Sequence, residues 1–175
     1  MIRKIEVSEL TKFGERIKEI YMKSLGYSHE AADFLLTRIR KSEENDLHPI
    51  ILGSFDKEEP VGFIFGFDFH PDNWWAGQID GRLPKDHDWY EDTFELNELE
   101  ILPSHQKQGR GRRLLEALFE QMPHKQALLG TAKENNEHVI RLYESLGFEI
   151  VIDSFRYEGD IYGNSLIMGW QRDRG

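Results

Sequence analysis

The stretch from Glu95 to Met122 constrains the fold of this chain more than any other. It predicts a strand over Phe94–Leu102, a loop with two glycines, and a helix with apolar residues at a period near 3.6. Pro123 follows where that helix should stop. The apolar face of the helix is formed by Leu114, Leu115, Leu118, Phe119 and Met122.

The loop in this stretch has the features of an anion site. Gly109 and Gly111 allow a tight turn and a close approach of the backbone to a ligand. The following helix begins with N–H groups that have no partner inside the helix, and its dipole is positive at that end. Arg110, Arg112 and Arg113 add positive charge in a chain with a net charge of −10. A local basic cluster in an acidic protein indicates a site for phosphate.

The loop does not fit the two common nucleotide-binding patterns. A dinucleotide loop would need glycine where Leu114 stands, and the lysine-containing triphosphate loop is absent. The alternative to an anion site is a flexible lead-in to a helix.

Composition excludes several classes of protein. A chain of 175 residues with 39% hydrophobic residues is expected to form a single domain, 1–175. The absence of cysteine excludes a disulfide framework and a thiol nucleophile. No apolar run reaches membrane-spanning length and no signal peptide is apparent, so we expect a cytoplasmic protein without a membrane partner. The acidic balance argues against nucleic acid and favours a cationic substrate.

The first part of the chain predicts a strand followed by two helices. The strand is placed at Ile2–Val7, and Ser8 is a candidate N-cap for a helix that ends near Gly26. Ser28 is a candidate cap for the second helix, which is expected to give way to a charged loop at residues 41–46.

The remaining segments predict further strands and one more helix. Pro49–Phe55 and Val61–Phe69 read as an antiparallel hairpin. After a strand at Lys125–Thr131, a helix capped by Asn135 or Asn136 is expected to end at Gly147 and Phe148 in a left-handed stop. Two final strands are placed at Glu149–Tyr157 and Ile161–Trp170. The predicted fold is α/β, with a mixed, mostly antiparallel central sheet and helices on both faces.

Residues 70–92 form a long polar segment between two predicted strands. It carries four large aromatic residues, Trp74, Trp75, Trp89 and Tyr90. Three interpretations are open: a lid or wall over an acceptor site, a dimer contact, or packing of the rings on the protein's own flank. We expect no metal, because the spacing fits no known ligand pattern among His70, Asp72, Asp86, His87 and Asp88.

The Phe94–Leu102 strand is unusually polar for a central strand. Glu95, Asn97, Glu98 and Glu100 interrupt its apolar positions. These carboxylates must line a cleft, meet solvent or pair with cations, because burial without a partner raises the pKa of a carboxyl group. A raised pKa is what a general base needs.

Two motifs together resemble those of the GNAT superfamily of acyl-CoA N-acyltransferases. The first is Gln106-Lys107-Gln108-Gly109-Arg110-Gly111, which resembles motif A of that family, Q/R-x-x-G-x-G/A. The second runs from Asn136 through Tyr143 to Gly147-Phe148 and is similar to N-x-x-A/V-x-x-L-Y-x-x-x-G-F. Their order and their separation of about 25 residues make the pair far more specific than either alone. The resemblance is close over Glu95–Phe148, and it implies a GNAT-like fold.

The resemblance implies a set of cofactor-binding residues for acetyl-CoA as co-substrate. The loop amides would hold the pyrophosphate, the strand backbone would bond the pantetheine arm, and Asn136 would bond the coenzyme's arm. Tyr143 would be the general acid for the leaving thiolate, with a buried core aromatic as the alternative. The backbone positions are Leu99, Glu100, Ile101, Lys107, Gln108, Gly109, Arg110, Gly111 and Arg112.

The resemblance leaves the general base less defined. Some family members use a Glu eleven residues before the motif's Gln, which here is Glu95. Others use a Glu five residues before the second motif's Asn, where this chain has Thr131, which cannot serve. We therefore expect Glu95 to act through a water molecule, with Glu98 in reserve. Substrate recognition or plain solvation are the alternatives for both carboxylates.

The implied function is an N-acetyltransferase acting by direct attack on a primary amine of a small cationic substrate. The alternatives are acetylation of protein N-termini or lysines, and a regulatory module that binds acyl-CoA without turnover. A homodimer is one assembly compatible with the aromatic segment.

Overall fold

The computed structural model describes residues 1–172. None of the helices in this part of the chain is long and apolar enough to cross a membrane. The helices are α1 (Leu10–Leu25), α2 (His29–Glu44), α3 (Trp74–Ile79), α4 (Arg110–Gln121) and α5 (Glu137–Ser145). The strands are β1 (Ile2–Lys4), β2 (Ile50–Asp56), β3 (Glu59–Asp68), β4 (Thr93–Ile101), β5 (Gln126–Ala132), β6 (Glu149–Arg156) and β7 (Asn164–Gln171).

The strands form one seven-stranded sheet in the order β1-β2-β3-β4-β5-β7-β6. β4 and β5 are parallel, while the pairs β1–β2, β2–β3, β5–β7 and β6–β7 are antiparallel. The predicted α/β class with a mostly antiparallel sheet is therefore confirmed. Of the predicted domain 1–175, the last three residues lie outside the described part of the chain.

The described chain divides into two compact units. The first unit comprises Met1–Phe67 and Leu96–Pro123, and the second comprises Asp68–Glu95 and the residues from His124 onward. The boundary at residues 95 and 96 falls inside β4.

The core of the first unit is built from the apolar faces of α1 and α2 and from phenylalanines of the β2–β3 hairpin. The predicted antiparallel hairpin is confirmed, with Leu52 opposite Ile64. α4 packs against β1 and β2. Leu114, Leu115 and Leu118 on its apolar face are fully buried, as its periodicity predicts.

The beginning of α1 differs from the prediction. Ser8 does not cap it; a 3₁₀ turn from Val7 to Glu9 precedes the helix instead. The side chains of Glu6 and Glu9 form a capping box around that turn, with Glu6 N–H donating to Glu9 Oε1 at 3.0 Å. The predicted end at Gly26 is confirmed, since Gly26 has a φ of 71°.

α2 begins as predicted and ends later than predicted. The Ser28 hydroxyl accepts the N–H of Ala31 at 3.1 Å, which is the expected cap. The charged loop predicted at residues 41–46 is wrong, because the helix continues to Glu44. Lys41, Glu43 and Glu44 are exposed, so their charges remain in water without ending the helix.

The second unit contains the aromatic segment, which is partly helical rather than a continuous loop. α3 and a 3₁₀ turn at Asp80–Arg82 occupy its middle. The indole N–H of Trp75 donates to the Tyr157 hydroxyl at 2.7 Å, and Trp89 is buried. These rings pack on the unit's own flank, and Trp74, although 57% exposed, also stacks on Tyr157 with ring centroids 5.9 Å apart. The lid and dimer interpretations apply only to Trp74 and remain predictions.

The end of α5 has the predicted left-handed stop. Gly147 has a φ of 99°, its N–H donates to the Glu144 carbonyl, and the Phe148 N–H donates to the Tyr143 carbonyl at 3.1 Å. The rings of Tyr143 and Phe148 meet edge to face at 5.4 Å. These two hydrogen bonds and the apolar contact form a complete Schellman motif.

Candidate active site

The loop before α4 has a backbone conformation suited to anions. Lys107 and Gly109 have positive φ values of 61° and 78°, whereas Gln108 and Arg110 between and after them do not. Successive residues with φ of alternating sign turn their N–H groups toward a common point and form a concave anion site. The loop leads directly into α4, whose first N–H groups lack intrahelical partners.

Side chains of the same motif hold this loop in place. Gln106 Nε2 donates to the Ile101 carbonyl at 3.0 Å, which ties the loop to the end of β4. Arg113 folds back and donates to the Gln108 carbonyl at 3.0 Å. Arg110 donates to the Gln108 side chain at 3.1 Å and to Ser54 Oγ at 3.0 Å. Two of the three predicted arginines therefore support the loop conformation as well as adding charge.

A buried polar cluster lies in the first unit where β4 passes α1 and α2. Arg38 Nη1 donates to Glu98 Oε2 at 2.9 Å and also hydrogen-bonds Asn97 Oδ1. The Tyr21 side chain interacts electrostatically with the same guanidinium and with Glu98. We name Tyr21, Arg38, Glu98 and Glu100 the carboxyl cluster.

Glu100 is the least satisfied member of the carboxyl cluster. The residue is 6% exposed, and its Oε2 is buried without a hydrogen-bond partner. Burial, together with the neighbouring Glu98 charge and hydrogen bond, raises the pKa of Glu100 well above its ordinary value. Burial also raises the pKa of Glu98, against the opposing effect of Arg38. The two carboxyls therefore retain a shared proton to higher pH than isolated glutamates do.

Sequence reasoning missed Arg38 and Tyr21. Both lie on helices far along the chain from β4, and no motif or local pattern in the sequence links either residue to that strand. The sequence did contain a signal for Arg38. The carboxylates of β4 need a cationic partner if they are buried, and Arg38 is a cation next to Ile39, a buried residue on the apolar side of α2.

Glu95, the predicted base, lies in the second unit. It is 2% exposed, and Asn73 Nδ2 donates to its Oε1 at 3.2 Å. The same amide group donates to the Asp68 carbonyl at 2.9 Å. Glu95 is thus a buried and hydrogen-bonded carboxyl group, and its role as base stays a prediction.

The second motif places Asn136 and Tyr143 on α5 in the second unit. Asn136 precedes the helix but does not cap it with its side chain; Nδ2 donates to Thr131 Oγ1 at 2.8 Å and to the Ala132 carbonyl at 2.9 Å. Tyr143 is 6% exposed, with its ring against Phe148. Both residues are rigidly held, and neither predicted role is tested by this geometry.

No group of three or more His, Asp or Glu residues within residues 1–172 is arranged to hold a metal ion. Two of the polar side chains of the 70–92 segment make hydrogen bonds instead. His87 Nε2 lies 2.6 Å from Gln126 Oε1, and Asp88 Oδ1 accepts the Tyr90 N–H.

The raised pKa of Glu100 predicts a specific dependence of stability on pH. Because the folded state holds its proton to higher pH than the unfolded state does, the free energy of unfolding should fall as pH rises above about 4.5, until the folded-state pKa is passed. Glu100→Gln mimics the protonated carboxyl, so it should match the wild type at pH 5 and be more stable than the wild type at pH 8. Urea unfolding at both values measures this.

The control for this measurement is Glu44→Gln, which removes an exposed carboxyl group from the end of α2. This substitution should leave the free energy of unfolding nearly unchanged at both pH 5 and pH 8. A Glu100→Gln protein that is less stable than wild type at pH 8 would show that the ionised carboxylate is the stabilising form.

The family model described as the acetyltransferase (GNAT) family matches residues 14–148. A GCN5-like protein acetyltransferase of Mycobacterium tuberculosis is 31% identical over 109 residues, which cover 57% of this chain and 53% of that protein. The chain thus spans about half the length of this curated relative.

Solved structures show the same fold. The structure of YncA from Salmonella typhimurium, determined with acetyl-CoA, aligns with a TM-score of 0.70 at 21% identity. The alignment covers 100% of this chain and 95% of the YncA chain. The aminoglycoside 6'-acetyltransferase type Ii has a TM-score of 0.69 at 18% identity, covering 98% and 96%. With the glycine loop, the second motif and the sheet order in place, the family match over residues 14–148 identifies the chain as a member of the acetyltransferase (GNAT) family.

Proposed function

We propose that this protein transfers the acetyl group of acetyl-CoA to a primary amine of a small cationic substrate. Family membership supports the acetyl transfer, and the neighbour solved with acetyl-CoA supports the donor. The excess of acidic residues in the sequence supports a cationic acceptor, as does the likeness to an aminoglycoside acetyltransferase.

The observation that carries the proposal is the alternating backbone of Lys107–Arg110 at the start of α4. A diphosphate carries charge that several main-chain N–H groups and a helix N-terminus bind together. We assign the amides of residues 107–112 to the pyrophosphate of the coenzyme. The hydrogen bonds of Arg110 to Ser54 and of Arg113 to the Gln108 carbonyl support this assignment, because they would hold the loop in the same conformation before the ligand binds.

The remaining donor contacts are assigned to β4 and to Asn136. The backbone of Leu99, Glu100 and Ile101 would bond the pantetheine arm in the manner of an added strand. The Ile101 carbonyl already accepts Gln106, so at that residue the N–H is the group assigned to the coenzyme. Asn136, whose amide nitrogen is engaged by Thr131 and Ala132, would use its side-chain oxygen.

Direct attack requires a neutral amine, a polarised carbonyl and an acid for the leaving sulfur. We assign deprotonation to Glu95 through a water molecule, with Glu98 as the alternative, and polarisation of the thioester carbonyl to a backbone N–H of β4. Tyr143 is assigned as the acid that protonates the thiolate. The absence of cysteine from the sequence rules out a cysteinyl acyl-enzyme.

A second candidate function is acetylation of protein amines. The identity of 31% to a protein acetyltransferase favours it, although that relative is matched over only part of its length. The chemistry is the same in both cases, and only the acceptor differs. The predicted cytoplasmic location and the predicted homodimer remain open under either candidate.

An amine panel tests the function directly. Purified protein with acetyl-CoA is incubated with polyamines, aminoglycosides and lysine-containing peptides, and free thiol is measured. Thiol release with small polycations supports the first candidate, and release with peptides alone supports the second. Coenzyme binding without thiol release from any amine would contradict both and indicate a binding module.

Gly109→Trp tests the pyrophosphate assignment. The indole would fill the concave loop, and Gly109 has a φ of 78°, so coenzyme binding should be lost while circular dichroism stays native. Gly26→Trp is the matched control, because Gly26 has a similar φ of 71° with open space around it at the end of α1. Isothermal titration with coenzyme A measures binding; binding that survives in Gly109→Trp removes the assignment.

Tyr143→Phe tests the general acid. The ring and its contact with Phe148 are retained, so stability should change little, while kcat should fall roughly tenfold or more because only the proton donor is lost. Tyr90→Phe, which removes a hydroxyl bonded to Asp80, is the control and should keep full turnover. Unchanged kcat in Tyr143→Phe would reject the acid role.

A further inference from the structure

We propose that Trp74 and Tyr162, which we name the aromatic corner, bind a second ammonium group of the acceptor, one that does not react. The preferred acceptors are then diamines rather than amines with a single charge. This inference rests on the proposed function, because it narrows the class of acceptor. The residues that support it all lie in the second unit.

The aromatic corner consists of two exposed rings that contact one buried ring. Trp74 is 57% exposed and Tyr162 is 52% exposed, whereas Tyr157, which both rings contact, is buried. The buried tyrosine also meets Phe155 edge to face at 4.9 Å, so it is anchored in the core of the unit. The two outer rings are thus held on a fixed base while much of their own surface is in water, where a ligand can cover it.

The ring planes have the arrangement that suits a cation. Trp74 stacks on Tyr157 with an interplanar angle of 11°, and Tyr162 meets the same ring at 82° with centroids 5.2 Å apart. The planes of Trp74 and Tyr162 are therefore steeply inclined to each other. Each ring face carries the negative part of the aromatic quadrupole, so two inclined faces form side walls for an ammonium group.

The charges beside the aromatic corner favour a cation over a neutral or anionic group. Glu158 and Asp160 lie in the 3₁₀ turn that separates Tyr157 from the corner residue Tyr162. Asp160 Oδ1 accepts a hydrogen bond from Arg156 Nη1 at 2.7 Å. One arginine thus faces two carboxylates, and this turn adds a negative potential next to the rings.

The aromatic corner is joined to Glu95, the carboxylate assigned as base. Trp74 directly follows Asn73, whose Nδ2 donates to Glu95 Oε1 at 3.2 Å. Trp75 Nε1 donates to the Tyr157 hydroxyl at 2.7 Å. Burial raises the pKa of Tyr157, and the nearby charge of Glu95 adds to that rise. An amine that reacts at Glu95 therefore has the aromatic corner within reach of its other end.

Binding of choline tests the aromatic corner without any turnover. Heteronuclear NMR of the nitrogen-labelled full chain resolves indole N–H signals, and the signal that Trp74→Leu removes belongs to Trp74. Choline chloride should shift this signal. Neohexyl alcohol, which has a carbon atom in place of the choline nitrogen and no charge, should leave it in place. A signal that responds to neither compound, or equally to both, overturns the proposal.

A matched pair of acceptors tests the role of the aromatic corner in the reaction. n-Pentylamine places a methyl group where putrescine has its second ammonium group. In the thiol-release assay the KM for putrescine should be about fivefold or more below the KM for n-pentylamine, because only the diamine gains the cation–π contact. A KM for putrescine that is equal or higher would show that the corner does not hold part of the acceptor.

Variants separate cation binding from a structural role. Trp74→Leu should raise the KM for putrescine about fivefold and leave kcat and the KM for n-pentylamine nearly unchanged, because it removes one ring face and keeps an apolar side chain. Trp74→Phe retains a ring face and should keep most of the affinity for putrescine. Tyr162→Leu should act like Trp74→Leu.

The matched control is Phe34→Leu, which removes an exposed aromatic ring from α2 in the first unit. It should leave the KM for both amines unchanged. Circular dichroism checks that each variant is folded. A rise in KM for both amines in Trp74→Leu, or a rise for neither, contradicts the proposal.

The proposed function and the aromatic corner fail separately. If no amine releases thiol from the wild type, the proposed function fails, yet the choline result still decides whether the corner binds a cation. If thiol is released while choline leaves the Trp74 signal in place, the function stands and the aromatic corner has no role in binding the acceptor.

Discussion

The backbone between β4 and α4 enters the left-handed region twice within three residues, and the proposed binding of the acetyl donor depends on that constraint. Lys107 and Gly109 have positive φ values directly before α4. The first N–H groups of α4 have no hydrogen-bond partner within the helix. The glycine tolerates this conformation without strain, while Lys107 does so at some energetic cost. Gln106, Arg110 and Arg113 hold the turn in that form.

Patterns that act locally were predictable from sequence. The apolar stripe of α4, the Ser28 cap, the glycine stop of α1 and the left-handed stop of α5 each depend on residues within one or two turns of each other. The two motifs added family-level information to these local signals, and the family match supports them. The residues of the predicted glycine loop also take the conformation that an anion site requires.

Features that depend on distant partners were not predictable. α3 contains two tryptophans and Gly77, which are weak helix formers, and what orders the segment is the contact of Trp75 with Tyr157, 82 residues away. Arg38 meets Glu98 across 60 residues, and no local pattern encodes that pairing. The predicted Ser8 cap of α1 was wrong for a different reason. Glu6 and Glu9 form the capping box at this position, where serine or threonine is the more common N-cap residue.

The Schellman stop of α5 has a consequence for how this protein tolerates change. Tyr143 supplies both the carbonyl that accepts the Phe148 N–H and the ring that Phe148 contacts, so the angular setting of its side chain is locked to the residues that follow the helix. Adding or deleting a single residue between positions 143 and 148 would rotate Tyr143 by about 100° or break the stop. Engineering of new acceptor preferences should therefore leave this connection at its native length, and loop grafts belong instead in the exposed turn at residues 158–163 that joins β6 to β7.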